Sequence, residues 1–188
     1  MDDRLRWGTE DDREALWRLY QQGFGVPDRG RERWIGRLVP ERALVVDGAH
    51  GELAAAAQIR SFHQAFGGRA VPLAGYSPVA VAAEHRGRGL AKAVMVGHYA
   101  DLRDRGEVIA GLFPASVALY RSVGFEVAGS YVQRRVPAAH LAAIAVPAGV
   151  EVRRGSADDV AAVHRCYGRL ALEIDGSMLR TPDAFAAR

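Results

Sequence analysis

The sequence predicts an α/β fold, a mixed central sheet flanked by helices. Three observations carry that prediction. Short apolar runs of strand type alternate along the chain with runs at helical spacing. Around the middle, a run in which Val79 and Val81 alternate with small residues passes through the loop His85-Arg86-Gly87-Arg88-Gly89 into a helix. Residues 108–113 then form a continuous apolar run, suited to a buried strand lying parallel to the first.

The elements follow in order. Residues 4–7 read as a strand. Thr9 is an N-cap with Asp11 and Asp12 in the first turn of a helix over 11–23, and a second helix covers 29–38. Residues 43–47 and 52–66 pair as a hairpin over Gly48 to Gly51. Residues 71–83 make a bent central strand, with Pro72 and Pro78 marking interrupted pairing. From Leu90 the apolar positions take helical spacing, through Ala91, Val94, Met95 and Leu102, and Arg105-Gly106 supplies a C-cap. After the strand at 108–113, Pro114 breaks the run. Ser116 N-caps a helix of one to two turns that ends at Gly124, and residues 125–136 return antiparallel.

Composition excludes several classes. At 188 residues the chain holds one full domain and little more. No apolar run reaches the ~18 residues that span a membrane, and the first residues carry no signal peptide, so a cytoplasmic location is expected. One cysteine, Cys166, forbids an internal disulfide, and its helical neighbours Ala162 and Leu170 predict a packed side chain. The six histidines have no metal-ligand spacing and read as surface or half-packed residues, so no metal is expected. The net charge is +3, but Lys92 is the single lysine and acids are interspersed with the arginines. No basic stripe with aromatics emerges, which argues against nucleic acid and membrane partners.

The arginine-glycine loop names a ligand class. A glycine turn feeding a helix N-terminus collects backbone N–H groups at one point, and flanking arginines make it a phosphate site. No Gly-Lys-Ser/Thr is present for a nucleotide P-loop. The position where a dinucleotide fingerprint has its third glycine holds Lys92. What remains, Arg86-Gly87-Arg88-Gly89-Leu90-Ala91, resembles the pyrophosphate motif Gln/Arg-x-x-Gly-x-Gly/Ala of the GCN5-related N-acetyltransferases (GNAT). The segment Leu119-Tyr120-Arg121-Ser122-Val123-Gly124-Phe125 resembles that family's Leu-Tyr-x-x-x-Gly-Phe, at a family-like distance. Trp34, Leu38-Val39-Pro40, Gly75-Tyr76-Ser77-Pro78, Glu84-His85-Arg86 and Gly106-Glu107-Val108 are similar to the enhanced intracellular survival (Eis) subfamily.

The resemblance implies an acetyl-CoA-dependent transferase acting on a primary amine of a cationic small molecule or a lysine side chain, such as an aminoglycoside or polyamine. It implies that Arg86, Gly87, Arg88, Gly89, Leu90, Ala91 and Lys92 cradle the pyrophosphate of acetyl-CoA. Backbone groups of Val79, Ala80 and Val81 would pair with the pantetheine arm, with an N–H near Val79 facing the thioester oxygen. Ala115 and Ser116 would line the acyl end. Tyr120 would be the general acid, since a phenol holds its proton at neutral pH; the residue-level alternative is a core tyrosine. Ser77 and Asp28 read as turn residues that could touch the amine, and no side chain stands out as base, Glu32 and Glu84 included. In the Eis subfamily that the resemblance points to, the base is the protein's own C-terminal carboxylate, delivered from the last domain. The rival function is a non-catalytic acyl-CoA-binding regulatory module, and the retained Tyr120 argues against it.

The start of the chain has an echo. Aligned without a gap, residues 5–20 and 152–167 share seven identities in sixteen, Arg6/Arg153, Gly8/Gly155 and Asp12/Asp159 among them. Both read as strand, capped turn and helix. The expected organisation is an acetyl-CoA-binding domain over 1–137, a connector over 138–149, and the truncated start of a second, degenerate copy over 150–188. Thr181-Pro182-Asp183 opens a helix that hardly begins. The chain then reads as the N-terminal fragment of a longer protein, a homo-oligomer when whole.

Overall fold

The computed structural model describes residues 4–130 and 132–181. Its sheet runs in the order β1 (Leu5–Trp7), β2 (Ala43–Asp47), β3 (Leu53–Phe66), β4 (Arg69–Val81) and β5 (Ile109–Gly111), with β6 (Met178–Leu179) added to β3. All neighbours are antiparallel except β4 and β5. The fold is thus the α/β arrangement the sequence predicts.

Helices cover both faces because the middle strands are apolar on both sides. α1 (Arg13–Phe24) and the short α2 (Arg31–Ile35) bury Leu16, Trp17 and Tyr20 against Ala43, Val45, Ala56 and Ala80. On the opposite face α3 (Leu90–Val96), α4 (Tyr99–Asp104) and α5 (Val117–Arg121) cover Leu44, Val46, Ala55, Ala57, Ile59 and Tyr76. Alternate residues of β2 point to opposite clusters, as period two requires. The alanines of β3 keep its surface shallow, so helices approach closely.

Several expectations are corrected. The second helix is a single short turn over 31–35 after a tighter turn at 28–30. Gly30 and Gly36 weaken its ends, and buried Gln58 captures the following backbone, accepting from Val39 N and donating to Arg37 O. The helix expected from Leu90 to Leu102 is interrupted at Gly97-His98. A Cβ on Gly97 would stand 2.7 Å from Leu44 Cδ1, so the backbone sits directly on the sheet there. His98, expected near the surface, is fully buried between the rings of Trp7 and Tyr76, and burial pulls its imidazole down to about 4.

Pro72 does not interrupt pairing; it faces His63 in a continuous ladder. Pro78 does, through a bulge in which β4 carries one residue more than β3 between the Ala57–Val79 and Ile59–Tyr76 pairs. The Ser77–Pro78 bond is cis. β5 is shorter and more exposed than a buried strand, with Val108 and Phe113 mostly in solvent. The described residues of 125–136 form no strand: Val127, Val132 and Val136 are exposed, and Gly129 with the polar run Gln133-Arg134-Arg135 leaves little apolar surface to bury.

Beyond the family-like part, α6 (Ala138–Ala142) lies exposed within the expected connector, and α7 (Val160–Glu173) leads to β6. Residues 152–154 form no strand, because no described strand lies beside them to pair with. Cys166 is exposed, not packed, since its face of α7 is uncovered. Thr181 is outside any helix, and Pro182 and Asp183 lie outside the described residues.

The echo in sequence is an echo in geometry. Arg6 Nη1 and Nη2 donate to the Asp12 carboxylate at 2.7 and 2.8 Å, and Asp12 closes a capping box with Thr9. Arg153 grips Asp159 at 2.8 and 2.6 Å, and Asp159 closes the same box with Ser156. In the first of these, hydrogen bonds from Arg6 hold the Asp12 carboxyl at about 2, below its ordinary 3.8. Folding therefore favours the charged form. The resulting stability is full above pH ~4 and is lost as pH falls through about 2. Asp12→Asn is expected to cost about 1–2 kcal/mol at pH 7, allowing for the water around Arg6, and to flatten the acid limb of stability. Urea unfolding at pH 7 and pH 3 checks this; an unchanged slope between them would contradict it.

Candidate active site

The site begins where β4 and β5 part. Their parallel ladder joins Leu73, Ala74 and Gly75 to Ile109, Ala110 and Gly111, and goes no further. From Tyr76 to Val81 that edge of β4 has no strand beside it among the described residues. Its backbone groups are thus available to an extended ligand. Val79 and Val81 face the α3–α5 side and pack on its cluster, whereas Ala80 is buried on the α1 side.

The loop after β4 is pinned and then left open. Ala82 N donates to Ala54 O at 2.9 Å, and His85 Nε2 meets Glu52 Oε1 at 3.1 Å, fastening it to the β2–β3 hairpin. Gly87 and Gly89 take φ of +75° and +76°, conformations that other residues rarely adopt. A Cβ at either would meet nothing within 4 Å. No backbone N–H from Gly87 to Lys92 finds an acceptor among the described residues. Arg86, Arg88 and Lys92 are exposed and form no ion pair there; Arg86 Nε reaches Val81 O at 3.4 Å. Open amides, open space and free positive charge fit a pyrophosphate. Leu90 is buried and Ala91 half-buried, anchoring the helix start.

α5 brings the second motif to the same face. Ser116 caps it by accepting from Leu119 N, and Gly124 takes φ of +96° to end it. Tyr120 is half-buried, with its ring 6.2 Å from that of Phe125. It packs on the cluster that also holds Leu90, Val79 and Val81. Its hydroxyl has no hydrogen-bond partner among the described residues, and burial pushes its pKa up, so it is protonated at neutral pH. The Tyr99 hydroxyl donates to Val123 O and ties α4 to the end of α5. Ala115 and Ser116 are exposed at the head of α5.

A separate cleft of about 110 Å³ opens on the α2 side of the bulge, lined by Trp34, Arg37, Leu38, Gln58, Arg60, Ser77 and Pro78. The sequence reading reached Ser77 but gave no role to Arg37, Gln58 or Arg60. These are brought together by strand pairing and the α2 turn, and no local spacing marks them. Asp28 is occupied by Gln21, whose Nε2 donates to it at 2.5 Å. Glu32 and Glu84 do not line the cleft.

The acetyltransferase (GNAT) domain family matches residues 4–128. An uncharacterized N-acetyltransferase of Streptomyces avermitilis is 41% identical over 91 residues, which are 47% of this chain and 21% of that protein. The crystal structure of a GCN5-related N-acetyltransferase from Kribbella flavida superposes with a TM-score of 0.82 at 33% identity, covering 98% of this chain and 48% of that one. Eis1 of Mycobacterium abscessus superposes at 0.71 with 23% identity, covering 97% and 46%, a likeness of fold. The chain thus spans about half the length of these solved relatives and a fifth of the Streptomyces protein.

Proposed function

The chain belongs to the acetyltransferase (GNAT) family, and from that premise we propose that it moves an acetyl group from acetyl-CoA to a primary amine. The observation that carries the reading is an edge of β4 unpaired among the described residues, beside a glycine loop whose amides have no partner among them. Gly87 to Lys92 hold the pyrophosphate, mainly through backbone N–H groups, while Arg86, Arg88 and the Lys92 ammonium add charge. Backbone groups of Val79, Ala80 and Val81 hold the pantetheine arm, and Ala115 and Ser116 border the acyl end. Bound there, acetyl-CoA supplies an activated thioester.

The chain's own groups then have two tasks. In the exchange of a C–S bond for a C–N bond, the departing thiolate needs a proton, and the Tyr120 hydroxyl holds one at neutral pH. The amide N–H of Val79 stabilises charge building on the carbonyl oxygen. The amine's own proton leaves to a base that none of these residues supplies. The resemblance to Eis proteins adds that residues from 150 onward begin a second unit of the same pattern, and the paired Arg–Asp brackets support it. The same resemblance makes cationic amines the first acceptors to try.

Calorimetric titration with CoA, followed by free-thiol release from acetyl-CoA with a panel of primary amines, tests the reading. Micromolar CoA binding with amine-dependent thiol release is expected; absence of CoA binding would overturn it. Arg88→Ala removes one exposed charge and leaves the amides in place, so CoA affinity should fall only ~3- to 10-fold. The loss should shrink at high salt, as screening dictates. An Arg88→Ala loss as large as that of a blocked loop would move the binding energy from backbone to side chain.

A further inference from the structure

We infer that the acceptor is an acid-bearing amine, a small molecule with a carboxylate or phosphate beside the amine it presents, the acid group held by Arg37 and Arg60. This rests on the acetyltransferase reading above and departs from the cationic acceptor that the resemblance implies. The cleft adjoins Val79 through Ser77 and Pro78 and opens on the α2 side. Tyr120 and Leu90, the residue that follows the glycine loop, pack on the opposite face of the sheet. Two ligands can therefore meet at the end of β4 without competing for space.

The charge of the cleft decides what enters. Its lining includes two arginines and no carboxylate. Several other arginines are matched by carboxylates: Arg6 by Asp12 and Asp47, Arg13 by Glu10, and Arg42 by Glu107. Neither Arg37 nor Arg60 has an ion-pair partner among the described residues. Arg60 is instead steadied by an aromatic ring, its guanidinium lying 5.5 Å from the centre of Phe62. Phe62 is itself fixed over Gly75, where a Cβ would stand 2.6 Å from its ring. Arg37 is placed through its backbone, because its carbonyl accepts from buried Gln58. Although Arg60 is exposed as a residue, partial desolvation of its guanidinium, and then the charge of Arg37, pull it below its ordinary value.

Two like charges that line one small cleft, both exposed and neither in an ion pair among the described residues, are complementary to an anion. A polyamine or aminoglycoside would bring further positive charge to them. The volume, roughly that of four waters, suits a carboxylate or phosphate head with a short stem. Trp34 supplies the flat apolar wall.

The test pairs acceptors that differ only in the acid group. Thiol release from acetyl-CoA is compared for ornithine against putrescine and for phosphoethanolamine against ethanolamine, with wild type, Arg60→Gln and Arg37→Gln. A charge-assisted hydrogen bond corresponds to roughly 10- to 100-fold in affinity. Acid-bearing acceptors should thus lead their partners by at least ~10-fold in kcat/KM. Each glutamine variant should raise KM for them by about that factor, leaving kcat and CoA affinity unchanged. The two pairs separate carboxylate from phosphate. Preference for putrescine or ethanolamine, with both variants indifferent or improved, would overturn the inference while leaving the transferase reading intact. Loss of CoA binding would instead overturn that reading. Calorimetry with ornithine and phosphoethanolamine in the presence of CoA decides the matter if turnover is slow: binding to wild type and not to Arg60→Gln supports the inference, and no binding of either compound refutes it.

Discussion

Gly89→Val is expected to reduce CoA affinity by at least ~100-fold. The substitution acts twice. A left-handed conformation costs a non-glycine residue about 1–2 kcal/mol, and a β-branched one more, so the loop shifts away from the φ of +76° it now holds. The new side chain also projects into the open space before the unpaired amides, where a ligand must approach. A combined loss near 3 kcal/mol corresponds to ~100-fold. Because a Cβ there touches nothing, the core should survive, and the thermal unfolding midpoint should fall only by the few degrees that the backbone strain costs. Gly89→Ala separates the two effects, with a loss smaller than that of valine. Calorimetric titration with CoA reads all three proteins, and unchanged affinity for Gly89→Val would remove the loop from the site.

Tyr120→Phe is expected to lower turnover ~10²-fold or more while leaving CoA affinity intact. Its hydroxyl has no partner among the described residues to orphan, so phenylalanine keeps the packing on Phe125 and the cluster beneath. What it removes is a proton. Burial raises the Tyr120 pKa, which keeps the donor form populated at neutral pH. Any loss of wild-type activity by ionisation of this group should therefore come at higher pH than for a free phenol. Steady-state thiol release, with CoA binding measured in parallel, checks the expectation. Wild-type turnover in the variant would make Tyr120 a packing residue.

What the sequence disclosed was local. The capped start of α1, the β2–β3 hairpin, the strand–loop–helix passage through Arg86 to Ala91 and the turn ended by Gly124 all write their conformation in neighbouring residues. Glycines with positive φ and polar caps are short-range signals, and they were readable. Failures came where partners are distant. Whether residues 108–113 are buried, or 125–136 pair at all, depends on surfaces supplied from elsewhere. His98 looked like a surface residue until Trp7 and Tyr76 closed over it. The cleft was invisible for the same reason. Arg37 and Arg60 become neighbours only after Gln58 has captured the turn behind α2 and the bulge at Ser77 and Pro78 has shaped the floor.

The arm of β3 and β4 beyond the sheet has a consequence for the order of assembly. β2 leaves β3 at Gln58, and the vacant stretch is taken by β6, with Ala65 and Gly176 or Ser177 exchanging backbone hydrogen bonds at 2.8 Å. Gln64 and Gly176 are 112 residues apart. Closing a loop of that length costs about 4 kcal/mol of chain entropy, against the few bonds of a two-residue strand. Such a seam closes after the rest of the sheet has formed and is the first to come apart. Hydrogen exchange would see it as a separate cooperative unit, with the amides of Ala65 and Gly176 exchanging long before those of Val45 and Ala56. Residues 160–179 are thus tethered to the sheet by a reversible latch, free to detach while the glycine loop and β4 remain folded.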